Sequence, residues 1–179
     1  KYVATESAKD PETSVIDLAL LLKAEVLFAA KNYKGAAESY RNVRPAKINK
    51  QYVPMRLYKM GWAMTEAGED VNGVEALGEF ISNWPKDPLV PSALIKRAMN
   101  FQKNENYEQA LKDYRQIVDQ HSNFESVEAC LQQIALIQAQ LRRKEPMIAA
   151  YRELLEKFPQ TSIKAEANYW IGGGLFALD

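Results

Sequence analysis

The chain has 179 residues, 47% of them hydrophobic, which is enough for a folded domain with a sizeable core and sets disorder aside. Lys plus Arg number 23 and so do Asp plus Glu, so no excess of positive charge draws the chain to nucleic acid or anionic lipid. The single cysteine, Cys130, excludes an internal disulfide and a multi-cysteine metal site, and no apolar run approaches the roughly 20 residues of a membrane span.

Residues 1–16, polar with Pro11 and Ser14, read as a tail or as the end of an earlier helix. The chain begins with Lys and has no basic start followed by an apolar core, which predicts a piece of a longer protein with any targeting signal upstream. From Asp17 onward the sequence repeats with a period of 37 residues. Small residues recur at Ala24, Gly61, Ala98, Ala135 and Gly172, with Leu20, Leu57, Leu94 and Leu131 four residues before the first four. Later columns hold Ala36, Gly73, Ala110 and Met147, then Tyr40, Leu77, Tyr114 and Tyr151, then Val43, Phe80, Ile117 and Leu154. The blocks are 17–53, 54–90, 91–127, 128–164 and a partial 165–179, together one repeat domain over 17–179.

Each full block carries helical spacing twice. Leu94, Ala98 and Phe101 stand at i, i+4 and i+7, as do Ala110, Tyr114 and Ile117, which places each set on one helix face. The polar stretch 103–106, with counterparts at 30–32 and 68–72, predicts a short turn between the two helices. Segments such as WPKDPLVPS and FPQTS separate the blocks, their prolines ending one helix and their Ser or Thr capping the next. Four antiparallel helix pairs and one unpaired C-terminal helix are expected.

These columns resemble the tetratricopeptide repeat. The third block carries the likeness best through Leu94, Ala98, Phe101, Ala110 and Tyr114, with Pro85 and Pro159 at the late proline position of other blocks. The chain departs from the pattern in its period, usually about 34 residues, and in having Leu where the first Trp is usual. Met147 also replaces a small residue, and Ile48 and Ser122 replace proline. The extra residues are expected to lengthen the connection or the start of the first helix. The resemblance implies an all-α, right-handed superhelical solenoid whose first helices line a concave groove for partner segments. By that analogy Leu21, Tyr58 and Ile95, with Trp62, Met99 and Leu136 four residues further along their blocks, line the groove. Such a row suits a protein or peptide partner with an apolar or aromatic segment rather than a C-terminal carboxylate. The alternative is that the same row is core, in a structural or self-assembly module of a larger bacterial envelope protein. A narrower resemblance, carried by the A-x-Y-W-x-G sequence of residues 167–172, is to bacterial cell-envelope repeat proteins such as the Tol-Pal division coordinator and the outer-membrane assembly lipoproteins. It implies a periplasmic or outer-membrane-associated location, the other option being the cytoplasm.

The three glycines at 172–174 lack the strand before them and the Lys and Ser or Thr after them that a phosphate loop needs, so they read as helical, with Gly172 in the small packing column. His121 reads as a contact between repeats and Cys130 as a small core residue with no fixed histidine partner. Glu66, Glu69 and Asp70 read as solvated turn residues, and Arg142, Arg143 and Lys144 as a basic turn. No metal or cofactor motif appears, so a non-catalytic module is expected, an enzyme requiring a site outside these residues. Tyr169, Trp170, Leu175 and Phe176 offer more apolar surface than one neighbouring pair covers. They predict a docking end, where the chain continues, self-associates or meets another molecule.

Overall fold

The computed structural model describes residues 14–176, which form nine α-helices, two short 3₁₀ turns and no strand. In chain order the helices are α1 (Val15–Ala29), α2 (Tyr33–Asn42), α3 (Val53–Glu66), α4 (Asp70–Asn83) and α5 (Val90–Lys103). They continue with α6 (Tyr107–Gln120), α7 (Val127–Gln140), α8 (Lys144–Lys157) and α9 (Lys164–Phe176). The 3₁₀ turns, Pro45–Lys47 and Lys50–Tyr52, follow the short helix α2. By their contacts the residues fall into two units, one through Asn100 and one from Phe101, so the division lies within α5. In the first unit α1 packs on α2, α2 on α3 and α3 on α4; in the second, α6 packs on α7, α7 on α8 and α8 on α9. Each unit is thus a stack of consecutive antiparallel helices.

The period of the sequence is the period of the backbone. The second helices start at Tyr33, Asp70, Tyr107 and Lys144, 37 residues apart, and from α3 onward the first helices keep the same interval. A full period holds two helices of 14 residues, a turn of three and a connection of six. The added length therefore lies in the connection, which folds as two successive reverse turns. The Asp87 N–H donates to the Trp84 carbonyl and the Val90 N–H to that of Asp87; 124 and 127 repeat this, as do 161 and 164. Within each pair the turn is closed by an N–H reaching back five residues, Asn32 to Leu27, Glu69 to Met64, Asn106 to Phe101 and Arg143 to Gln138. That geometry demands a left-handed residue, and Lys31, Gly68, Glu105 and Arg142 occupy it with φ of 58°, 86°, 60° and 56°. Only Gly68 does so without crowding a Cβ.

The predicted core columns are buried, with Ala24, Ala98, Ala135, Leu77, Phe80, Ile117 and Leu154 fully closed to solvent. The first copy departs from the register. Leu20 is half-buried and its neighbour Leu21 takes the core place at 1% exposure. Helix α1 begins at Val15, so residues 15 and 16 belong to it rather than to a tail; residues 1–13 lie outside the described part. Ser14 caps α1 by accepting the Asp17 N–H at 3.4 Å. Asp17, 1% exposed, accepts from the Arg44 backbone N–H at 2.7 Å and from its guanidinium at 2.6 Å, which ties the start of α1 to the chain leaving α2. The hydrogen bonds from Arg44 outweigh burial and hold the Asp17 carboxyl well below the usual carboxylate range.

Helix α9 runs through all three glycines, but the packing glycine is Gly174 and not Gly172. A Cβ at 174 would lie 2.9 Å from Ile148 Cδ1 and Met147 Cε, whereas one at 172 meets nothing within 4 Å. The reason is geometric. The column of Gly172 faces the second helix of its own pair, which for α9 does not exist among the described residues, and the column of Gly174 faces the preceding pair.

Two outcomes follow from the turn and from the buried carboxylate. Glu105→Gly is expected to raise stability by roughly 0.5–1 kcal/mol in thermal unfolding, since the left-handed cost of about 1–2 kcal/mol exceeds what glycine adds to unfolded-state freedom. Asp17→Asn is expected to lower the Tm at neutral pH. Because the folded carboxyl titrates below its unfolded value, that deficit should shrink as pH falls below about 4, and a deficit independent of pH would remove the ion pair as its cause.

Candidate functional site

The face expected to form a groove is, in the first unit, a set of packed rings. The Phe28 ring centre lies 5.6 Å from Tyr33, 6.5 Å from Tyr40 and 5.6 Å from Trp62, all edge-on. Trp62 meets Tyr58 at 5.7 Å, Tyr58 meets Phe80 at 5.5 Å, and Phe80 meets Trp84 at 6.0 Å. The series threads α1 to α4 without a break. Two lysines roof it. Lys59 pairs with Glu25 and stands 5.5 Å from the Phe28 ring centre, and Lys96 pairs with Glu66 and stands 5.3 Å from that of Trp62. Glu25 also accepts from the Tyr40 hydroxyl, which burial, followed by this hydrogen bond, drives far above the ordinary tyrosine range. Long lysine stems lie over apolar rings here while their charged ends meet carboxylates.

The predicted groove residues divide accordingly. Leu21 and Tyr58, at 1% and 4% exposure, are core, which corrects their assignment to a groove. The first helices approach closely enough for this column to turn inward. Trp62, Ile95 and Leu136 are half-buried, the indole N–H of Trp62 being enclosed without a hydrogen-bond partner among the described residues. Met99, at 53%, stands largely in solvent. The two lysines of this face escaped the sequence reading, although Lys59 and Lys96 stand one period apart and were open to the same column argument.

The predicted docking end is exposed on α9, with Tyr169 at 75% and Phe176 at 85%, and with Trp170 and Leu175 partly covered. Only Ala167 and Gly174 of that helix are buried. Between α9 and the turn from α7 to α8 lies a cleft of about 360 Å³. Its apolar lining includes Ala139, Met147, Trp170 and Gly173, and Arg142, Arg143 and Lys144 stand beside it.

Other singled-out residues have quieter places. His121 caps α6, its backbone N–H donating to the Ile117 carbonyl. Cys130 is buried, and burial pushes its thiol up to about 11, so at neutral pH it is protonated and a poor nucleophile. The carboxylates expected to be solvated are paired instead, Glu66 with Lys96, Glu69 with Arg41 at 2.5 Å and Asp70 with the Asn100 amide at 2.6 Å. Among the described residues no helix is long and apolar enough to cross a membrane.

Antiparallel helices stacked at a fixed period, with small residues where they cross, define a helical-repeat scaffold. The chain belongs to the tetratricopeptide repeat family, which it matches over residues 57–87, 92–123 and 129–161, more than half its length. Members of this family generally serve as protein–protein interaction modules. Among solved structures, one of MamA is similar with a TM-score of 0.62 at 18% identity, covering 89% of this chain and 84% of that one. A second MamA structure reaches 0.64 at 14% identity over 89% and 86% of the two chains. A MamA RS-1 double mutant reaches 0.65 at 14% identity over 93% and 98%. At such identities the likeness is one of fold. A search of curated proteins finds no match. The family match is to the repeat in general, and it does not single out the Tol-Pal coordinator or the outer-membrane assembly lipoproteins.

Since Trp62 holds the ring series together, Trp62→Ala is expected to destabilise the fold by roughly 2–4 kcal/mol, below the full range for a wholly buried tryptophan. Met99→Ala is expected to stay within about 0.5 kcal/mol. Paired thermal melts followed by circular dichroism compare them, and equal stabilities would return Trp62 to the surface.

Proposed function

We propose that the chain is a non-catalytic module that binds a segment of a partner protein through apolar side chains on the first helices of its pairs. The carrying observation is where large apolar side chains remain exposed. Val15, Ile16, Leu22 and Val26 lie on α1, Met99 on α5, and Tyr169, Trp170, Leu175 and Phe176 on α9, whereas a second helix contributes Val71. Scattered single apolar residues are ordinary on a surface, but a helix that shows four of them within eight residues is not. Helix α9 is that helix, and Met99 is the one residue of the predicted row that stands largely in solvent. The partner surface is accordingly apolar or aromatic, and α9 is also the surface through which two copies of the chain would meet.

The test is capture from an extract of the source organism by immobilised wild type and by Met99→Asp and Phe176→Asp variants, all shown to be folded by circular dichroism. A partner held by the wild type and reduced several-fold on either variant is the expected result. The same proteins held equally by all three would overturn the reading. Light scattering at high concentration separates partner binding from self-association, in which case Phe176→Asp converts an oligomer to a monomer.

A further inference from the structure

The repeat columns explain the cleft beside α9. The twelfth residue of one block meets the ninth of the next, and in the blocks 17–53 and 54–90 these are Phe28 and Trp62, with ring centres 5.6 Å apart. Tyr33 closes the side of Phe28 at 5.6 Å. Three periods further on, the columns of Phe28 and Tyr33 carry Ala139 and Lys144, and the column of Trp62 carries Gly173. Two aromatic rings are thus replaced by a methyl group and a hydrogen. The space between α7 and α9 is left as a cleft of about 360 Å³, within the size range of ligand pockets, with Met147 and Trp170 as apolar walls.

The turn beside it is mainly basic. Arg142, Arg143 and Lys144 follow one another at the cleft, against the single carboxylate of Glu145 in the same stretch. Arg143 bonds Glu108 at 2.6 Å, whereas Arg142 is exposed and held at φ 56° by the turn. Arg142 has no carboxylate partner among the described residues. An apolar cleft bordered by guanidinium groups selects a ligand that is aromatic at its centre and acidic around it.

We propose that the cleft between α7 and α9 receives an aromatic side chain from an acidic segment of a partner protein. The ring stands where Phe28 and Trp62 stand in the first unit, and a flanking carboxylate meets Arg142. This rests on the reading of the chain as an interaction module and specifies the partner chemistry of one of its surfaces.

The test uses three fluorescein-labelled peptides, Glu-Asp-Phe-Asp-Glu, its Phe→Ala form and Lys-Lys-Phe-Lys-Lys, titrated into the whole chain and followed by anisotropy. The first peptide is expected to bind, to lose at least about tenfold on Phe→Ala or charge reversal, and to weaken as salt rises. Its binding should shift the Trp170 indole N–H signal in a ¹H–¹⁵N spectrum. Gly173→Phe places a ring in the cleft, and no atom beyond the chain neighbours and backbone of its own helix lies within 4 Å of a Cβ there, which leaves room for the substitution. It is expected to abolish binding. Arg142→Glu, an exposed change that does not depend on repacking, is expected to weaken binding at least about tenfold.

Binding that is equal for all three peptides, binding unchanged in both variants, or no binding of the first peptide up to about 1 mM overturns the proposal. Self-association that Gly173→Phe abolishes also overturns it, because the occupant is then a second copy. Capture that depends on Phe176 or Met99 but not on the cleft leaves the interaction-module reading standing while this proposal falls. Cleft binding that stays intact when no protein is captured through Met99 or Phe176 removes those two side chains as contacts and leaves the cleft as the binding surface.

Discussion

The rest of the structure depends on how closely the two helices of a pair cross. At the tightest crossing a Cβ on Gly61 would stand 2.9 Å from Leu77 Cγ and 3.1 Å from the Gly73 carbonyl oxygen, and one on Gly73 would stand 2.8 Å from the Thr65 backbone nitrogen. Backbone touches backbone there, so no side-chain rotation could relieve a larger residue. Alanine serves at the same column elsewhere, with Ala24, Ala98 and Ala135 all fully buried. This approach fixes which neighbouring columns can become core. Leu57, Leu94 and Leu131 are then drawn inward from one helix and Tyr40, Leu77, Tyr114 and Tyr151 from the other. Dispersion and apolar burial act over these columns because the small residues have already set the distance.

The fold was legible in the sequence because everything that makes a pair recurs at one interval. Helix spacing, turn, crossing residue and core column repeat together, and each is a local property of the chain. The face proposed to meet partners was less legible. Whether Tyr58 or Met99 ends in solvent depends on how one pair leans on the next, and no i, i+4 pattern encodes that. Leu21 and Met99 were assigned to the same row by analogy, yet one is sealed and the other exposed. The glycines of α9 show the same limit, since Gly172 shares a column with buried residues but has, among the described residues, no second helix to bury it.

Charge supplies the second layer of organisation. Lys59 with Glu25, Lys96 with Glu66, Arg115 with Glu153 at 2.7 Å and Arg143 with Glu108 all join one copy to the next within their units. Partly exposed pairs of this kind contribute about 0–1 kcal/mol each, so they are not what holds the stack together. Their larger effect is on the surface presented. In the first unit they turn an aromatic face into a polar one, and in the second the same columns carry Gln133 and Trp170, which changes what the molecule can meet.

The near-constant interval between bonded partners has a consequence for how the chain acquires its structure. Side-chain hydrogen bonds between neighbouring copies span 28 to 38 residues, from Arg41 to Glu69 at one extreme to Arg115 to Glu153 at the other, and none of these needs a loop longer than about one repeat to close. Contact order stays low however many copies are joined, so ordering can begin at any copy and spread to its neighbours. Loss of order follows the same path in reverse, from terminal helices that have a neighbour on one side only. Among the described residues helix α9 packs on α8 alone, and a partner seated on its open face would act as a second neighbour, coupling recognition to the cooperative length of the array.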